Sequence, residues 1–168
     1  MRSTKGFTLI ELVVVIVILG ILAVTAAPKF LNFSKDAKIA TVKGFKGVIS
    51  AQVSMLNSKA MIQGKTGDNV DVETDYGLFQ FYGGYPESRS ESTSPHKFLI
   101  QTFIDLGAPE SETLDGSTRS ATHGDVVVYE DNDYSRVGYG SGNLLSGNCY
   151  AEYQSDTADS VKAVTTGC

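Results

Sequence analysis

The sequence has few of the residues on which catalysis and metal binding usually rest. Histidine occurs twice, at His96 and His123, and neither has the cysteine–histidine spacing of a zinc site. No G-x-S-x-G, H-E-x-x-H or Walker motif is present, which argues against an enzyme. Gly138-Tyr139-Gly140-Ser141-Gly142 is rich in glycine, but no helical pattern comes after it to hold a phosphate, so it is read as a turn. Glu130-Asp131-Asn132-Asp133 offers oxygens to calcium, yet lacks the glycine and distal glutamate of an EF-hand loop. A solvated hairpin turn is the simpler reading, and no metal or cofactor is expected. Two cysteines alone, Cys149 and Cys168, are a weak disulfide signal, because free thiols are common in cytosolic proteins. No internal repeat is evident.

The net charge of −5 conceals an asymmetry. Residues 1–62 carry eight Lys/Arg against Glu11 and Asp36, whereas residues 63–168 carry six Lys/Arg against seventeen Asp/Glu. A basic N-terminal piece and an acidic C-terminal piece thus share one chain. The acidity is either a solvated surface or a source of attraction between the two pieces of different copies. It leaves no basic patch for nucleic acid, so no specific nucleic-acid partner is expected; any such contact would have to use the N-terminal lysines.

What the chain does have is a long apolar run. Phe7 to Ala27 is twenty-one residues, which as a helix would span roughly 32 Å, close to the thickness of a bilayer's hydrocarbon core. It contains one charge, Glu11. A carboxylate inside such a span costs on the order of 3 kcal/mol, so its placement needs an offsetting interaction. The leader M-R-S-T-K is basic and lacks acids, which keeps it in the cytoplasm and sends the C-terminal part across the membrane. That compartment is oxidising, and a disulfide closing about 20 residues there would stabilise the fold by roughly 3 kcal/mol. Cys149 and Cys168 are therefore expected to be bonded.

An ordinary secretory signal peptide would also have a basic start and small residues such as Ala23-Val24-Thr25-Ala26-Ala27. Glu11 inside the apolar core argues against it. So does the chain beyond Phe30: Val42, Phe45, Ile49, Val53, Leu56 and Ala60 recur at helical spacing, with no loop-like stretch before them. The pattern predicts a helix over Phe7 to Ile62, roughly 84 Å long if unbroken, kinked at Pro28 and amphipathic in its second half.

The stretch G-F-T-L-I-E-L-V-V-V-I-V-I-L-G-I-L-A, starting at Gly6, resembles the N-terminal signature of type IV pilins and related pseudopilins. The resemblance implies cleavage after Gly6 by a prepilin peptidase and N-methylation of Phe7. It matches Glu11 to the family's assembly glutamate and Pro28 to its helix-kinking proline. The ending C-Y-A-E-Y…T-T-G-C looks most like mannose-sensitive haemagglutinin pilins. The implied fold is α+β, a long N-terminal helix packed on a small antiparallel head with a C-terminal disulfide loop. Its implied parts are a leader over 1–6, a transmembrane and filament-core helix over 7–28, an amphipathic helix over 29–62 and a head over 63–168.

Cleavage would turn the Phe7 nitrogen from an amide into a cationic amine, four residues from Glu11. In a filament of staggered copies the Glu11 carboxylate can meet the Phe7 amine of a neighbour. Alternatively it complements the positive end of its own helix, worth about 0.3–1 kcal/mol. The implied protein is the major subunit of an extracellular pilus used for surface adhesion, with a type II secretion pseudopilin as the alternative. Its partners would be other copies of itself, the prepilin peptidase and assembly machinery, the inner membrane before assembly, and surface glycans as a candidate ligand. The precursor would sit in the inner membrane with its head in the periplasm, and the assembled subunit at the cell surface.

Within the head, Ser94-Pro95 with Phe98, Leu99, Thr102, Phe103 and Leu106 after it reads as a capped helix, stopped by Gly107 and Pro109. Strands are expected at Asp125–Glu130, Arg136–Tyr139, Cys149–Gln154 and Val161–Thr165, with Asp131-Asn132-Asp133 as a turn. Residues 64–94, rich in glycine, aspartate and serine, read as a connection whose aromatics Phe79, Phe81, Tyr82 and Tyr85 pack rather than bind ligand.

Overall fold

A computed structural model describes residues 6–92, 94–155 and 160–168, together with the backbone, but not the side chains, of Ala27, Pro28, Phe30 and Leu31. Most of the leader, residues 1–5, lies outside the described residues. Helix α1 covers Leu9–Ile62, and the chain divides into two compact units, one ending at Ala37 and the other covering Lys38–Cys168.

The first unit is the apolar part of α1. Leu9–Ala26 has a mean hydropathy of 3.0 and is long and apolar enough to cross a membrane. Its side chains point outward all round: Leu9, Val14, Leu19 and Ile21 are among many large apolar residues left exposed. A helix that is apolar on every face cannot be satisfied by water and calls for lipid or other helices around it. Backbone helical structure continues through Pro28; the side chain of this expected kink lies outside the described residues.

The second unit is an α+β head. From Lys38 onward α1 turns one stripe inward, burying Val42, Ile49, Val53, Leu56 and Ala60 against the sheets, with Phe45 half-buried beside them. The helical spacing in the sequence therefore identified the correct face. Strands β1 (Val70–Thr74), β2 (Gly77–Tyr82) and β3 (Tyr85–Pro86) form a three-stranded sheet, and β4 (Arg89–Ser90) pairs with β5 (Lys97–Phe98). Six further strands come next along the chain: β6 (Ser111–Asp115), β7 (Thr118–His123), β8 (Val126–Glu130), β9 (Tyr134–Gly138), β10 (Tyr150–Gln154) and β11 (Val161–Val164). They form one antiparallel sheet in that spatial order. Val72, Phe79, Phe81, Val128, Val137, Ala151 and Tyr153 supply the core on the sheet side. The architecture is α+β, and its long apolar helix, antiparallel sheets and C-terminal disulfide are consistent with a pilin fold.

Four expected strands are present, and the Asp131-Asn132-Asp133 turn joins β8 to β9. Three expectations need correction. Residues 64–94 are not simply a connection, because V-D-V-E-T and G-L-F-Q-F-Y alternate and bury Val72, Thr74, Phe79 and Phe81. Strands β6 and β7 were not expected, since S-E-T-L-D and T-R-S-A-T-H lack an apolar face. The expected helix after Ser94 shrinks to α2, Leu99–Phe103, whose N-cap position is Phe98 with no side-chain cap of its own. The Leu99 N–H donates to the Ser88 carbonyl, and a distant carboxylate, Glu130, accepts the next two amides, of Ile100 and Gln101.

In the β9–β10 pair Gly138 faces Tyr150. A Cβ on Gly138 would lie 2.2 Å from the Cys149 carbonyl oxygen and 2.5 Å from the Tyr150 Cα, so only glycine fits there.

Candidate assembly site

Gly6 and Phe7 precede the helix and are exposed, Phe7 by 84%. Thr8 occupies the position just before the first helical residue. Its backbone N–H and its hydroxyl each donate to Glu11 Oε2 at 2.8 Å, while the Glu11 N–H donates to Thr8 Oγ1 at 3.3 Å. This is a reciprocal capping box, in which the side chain of each residue accepts the otherwise orphaned backbone N–H of the other. The T-L-I-E spacing carries that signal in the sequence, and the expectation for Glu11 missed it. In the single chain, then, the carboxylate is held at the helix start by its own turn. The one acidic group of the apolar segment is thereby placed beside the Phe7 nitrogen's end of the chain, where a cationic amine would arise on cleavage.

The second sequence-marked pair is brought together outright. Cys149, just before β10, is bonded to Cys168 with the Cα atoms 4.9 Å apart. The tail is also held by the Gly167 N–H donating to the Asn148 carbonyl at 2.9 Å. Phe79 and Phe81 are fully buried packing residues, while Tyr82 and Tyr85 reach the surface in part.

Two charged clusters in the head were not anticipated. Glu130, expected in a solvated turn, is completely buried on β8. It accepts from the Ile100 N–H at 2.5 Å, Arg119 Nη1 at 3.0 Å and Ser135 Oγ at 3.1 Å, and Arg119 Nε continues to Glu112 at 2.6 Å. Alternation along D-V-V-V-Y-E places Glu130 on the same face as Val128, which is the signal that could have found it. Beside it lies a cavity of about 150 Å³ lined by Ile100, Ile104, Leu106, Pro109, Arg119 and His123, whose Nδ1 is buried without a partner. In the second cluster Arg136 Nε donates to Glu152 at 2.6 Å, Lys162 Nζ donates to the other oxygen at 2.7 Å, and the Tyr134 ring covers the Arg136 guanidinium. Burial alone would raise the Glu152 pKa, but the hydrogen bonds from Lys162 and Arg136 outweigh it and hold this carboxyl below its ordinary value. Among the described residues no three His, Cys, Asp or Glu gather where they could hold a metal ion.

Burial raises the Glu130 carboxyl to about 7, against the backbone amide of Ile100, Arg119 and Ser135, which all favour ionisation. Because the folded state binds this proton more tightly than the unfolded chain, the stability it contributes is present below the ordinary carboxylate range. It is lost as pH rises through about 7. The depressed Glu152 acts in the opposite sense at more acidic pH, so the two are separable. The denaturant midpoint of the full chain in detergent is expected to fall between about pH 5 and about pH 8. Glu130→Gln is expected to flatten that slope; a slope identical in wild type and variant would show that Glu130 does not titrate there.

Residues 1–27 match the family model described as the prokaryotic N-terminal methylation motif. Comparison with curated proteins found no match, and comparison with solved structures found none either. The matched motif covers Gly6, Phe7 and Glu11. It supports a type IV pilin- or pseudopilin-like protein, and it implies processing by a prepilin peptidase. The apolar helix fits a membrane-anchored precursor.

Proposed function

We propose that the chain is the major structural subunit of an extracellular type IV pilus used for surface adhesion. In this reading residues 1–6 are a leader and 7–28 a transmembrane segment that becomes filament core. Residues 29–62 are the amphipathic half of the helix and 63–168 the head. The observation that carries the proposal is a single carboxylate, Glu11, near the start of the otherwise apolar and exposed segment Leu9–Ala26, shortly after the Gly6-Phe7 junction. Lipid covers every apolar face of this segment before assembly, and a bundle of such helices covers them after it. In the filament the Glu11 carboxylate pairs with the Phe7 amine of a neighbour, and Pro28 bends the helix between core and head. The alternative is a pseudopilin of a type II secretion system. The Cys149–Cys168 bond favours the pilus, because by resemblance pseudopilins commonly lack that pair. The C-Y-A-E-Y…T-T-G-C ending is the basis for likening it to mannose-sensitive haemagglutinin pilins and for testing surface glycans as ligands.

Mass spectrometry of sheared surface filaments tests the proposal: this chain is expected as their principal component. N-terminal sequencing is expected to begin at N-methylated Phe7. A mature chain beginning at Pro28 or Lys29 would show the apolar segment to be a discarded signal peptide, and the proposal would fail.

A further inference from the structure

We propose that the two edges of the six-stranded sheet are complementary, so that β6 of one copy adds as an antiparallel strand to β11 of the next. The proposal rests on the polymer reading and names a head-to-head contact within it. Among the described residues each edge strand has a single neighbour, β7 for β6 and β10 for β11. All five residues of β6 are exposed. The sheet has an even number of strands and every neighbouring pair is antiparallel, so β6 and β11 run in opposite directions. A second copy set alongside in the same orientation therefore continues the alternation.

The backbone phase of the two edges also matches. The β6–β7 hairpin closes through Gly116-Ser117 between the paired residues Asp115 and Thr118. A two-residue turn makes that closing pair hydrogen-bonded, so Ser111, Thr113 and Asp115 bond inward, and Glu112 and Leu114 turn their N–H and C=O groups outward. On the other edge, the Gln154 N–H donates to the Ser160 carbonyl. Lys162 and Val164 then bond inward to β10, while Val161 and Ala163 turn outward. Two outward residues spaced by one stand on each edge. Setting Glu112 against Ala163 and Leu114 against Val161 satisfies both sets and places Thr113 opposite Lys162.

Charge agrees with this register. Strand β6 carries Glu112 and Asp115 and no basic residue. Strand β11 carries Lys162, whose side chain keeps 61% exposure although it reaches Glu152. Asp115 falls diagonal to Lys162 on the same face, within reach of a long side chain. An open edge without lysine or proline is otherwise a hazard for uncontrolled pairing. A contact between two different edges is heterologous, the kind that extends into an open filament when its rotation closes no ring.

Cysteine pairing in the full-length protein tests this. Thr113→Cys and Lys162→Cys are placed in separate copies and co-expressed, then membranes and sheared filaments are oxidised and run without reductant. Directly opposed residues of this kind bring Cα atoms to about 4.5 Å, within disulfide range. A reductant-sensitive dimer is expected only when both variants are present, and not when exposed Asp125→Cys replaces Thr113→Cys. Leu114→Pro, which removes an outward N–H and leaves the bonds to β7, is expected to abolish the dimer. Monomer in every fraction, while the parent chain still yields filaments, overturns strand addition and leaves the polymer reading standing. A parent chain that yields no filaments overturns the polymer reading itself, and a membrane dimer would still report the edge pairing.

Discussion

Replacing Glu11 with valine is expected to leave the protein in the membrane at its normal level and to remove most or all surface filaments. Two opposed effects set this outcome. In the bilayer the variant loses a group costing roughly 3 kcal/mol, so insertion is unharmed or improved. It also loses the two bonds that the carboxylate accepts from Thr8, but keeps the one from the backbone N–H of residue 11 to Thr8 Oγ1. The cost therefore stays below that of losing the N-cap residue itself, about 0.5–2 kcal/mol. A helix of 54 residues survives that loss, which is felt only in its first turn. In the filament the cost is of another kind. The amine of a neighbouring Phe7 would be left without its anion in a low-dielectric core, and an uncompensated buried charge costs about 3–5 kcal/mol. That penalty recurs at every subunit, so polymerisation fails although each monomer is intact. Glu11→Gln keeps hydrogen bonding and loses the charge, and is expected to be intermediate at best. Quantifying membrane subunit by immunoblot and filaments by shearing and electron microscopy separates the steps. Normal filament number and length in Glu11→Val would assign the carboxylate to the capping box alone.

The parts of the molecule legible in the sequence are those where a local period meets a continuous apolar set. Val42, Ile49, Val53, Leu56 and Ala60 announce the buried face of α1 because their spacing keeps them on one stripe of the helix, and the structure buries all five. Strands β8 to β11 are legible through β-branched and aromatic residues bounded by turn residues. Illegible parts are those whose structure is imposed from elsewhere. Strand β7 buries Arg119 rather than a large apolar side chain, and what makes that tolerable is Glu130, eleven residues away on the next strand. Helix α2 starts without a local cap because the same Glu130 accepts the Ile100 N–H from thirty residues away. A composition rich in arginine, glutamate and serine looks solvated until those partners are known. At the assembly site the difficulty differs: Glu11 stands out as the lone charge of an apolar run, whereas Thr8, three residues earlier, whose hydroxyl and amide hold it in the single chain, is inconspicuous.

Replacing Cys149 with serine is expected to lower the unfolding free energy of the head by about 2–5 kcal/mol, the usual cost of removing a native disulfide from a small exported domain. The loop it closes spans a sequence separation of 19, for which restriction of the unfolded chain alone accounts for roughly 3 kcal/mol. Local packing adds to this. Cys149 is 2% exposed within the main core, and Gly167 passes so near Gly147 that an added Cβ would lie 1.9 Å from its carbonyl oxygen. A serine hydroxyl in place of the sulfur would be desolvated there without the bond that fixed the tail. The damage should be graded rather than uniform. Among the described residues β11 is an edge paired on one side, with β10, so releasing Cys168 frees its C-terminal end first. Strands β7 and β8, each flanked on both sides, keep their ladders. Hydrogen exchange is therefore expected to quicken at Val161–Val164 well before it does at Val126–Glu130, and the denaturant midpoint to fall by the same amount in Cys168→Ser and in the double variant. Since β11 is also the strand proposed to receive β6 of the next copy, the Thr113–Lys162 cross-link is expected to weaken in the same variants. Equal stability with and without the bond, or exchange that quickens everywhere at once, would mean that the disulfide does not anchor this edge.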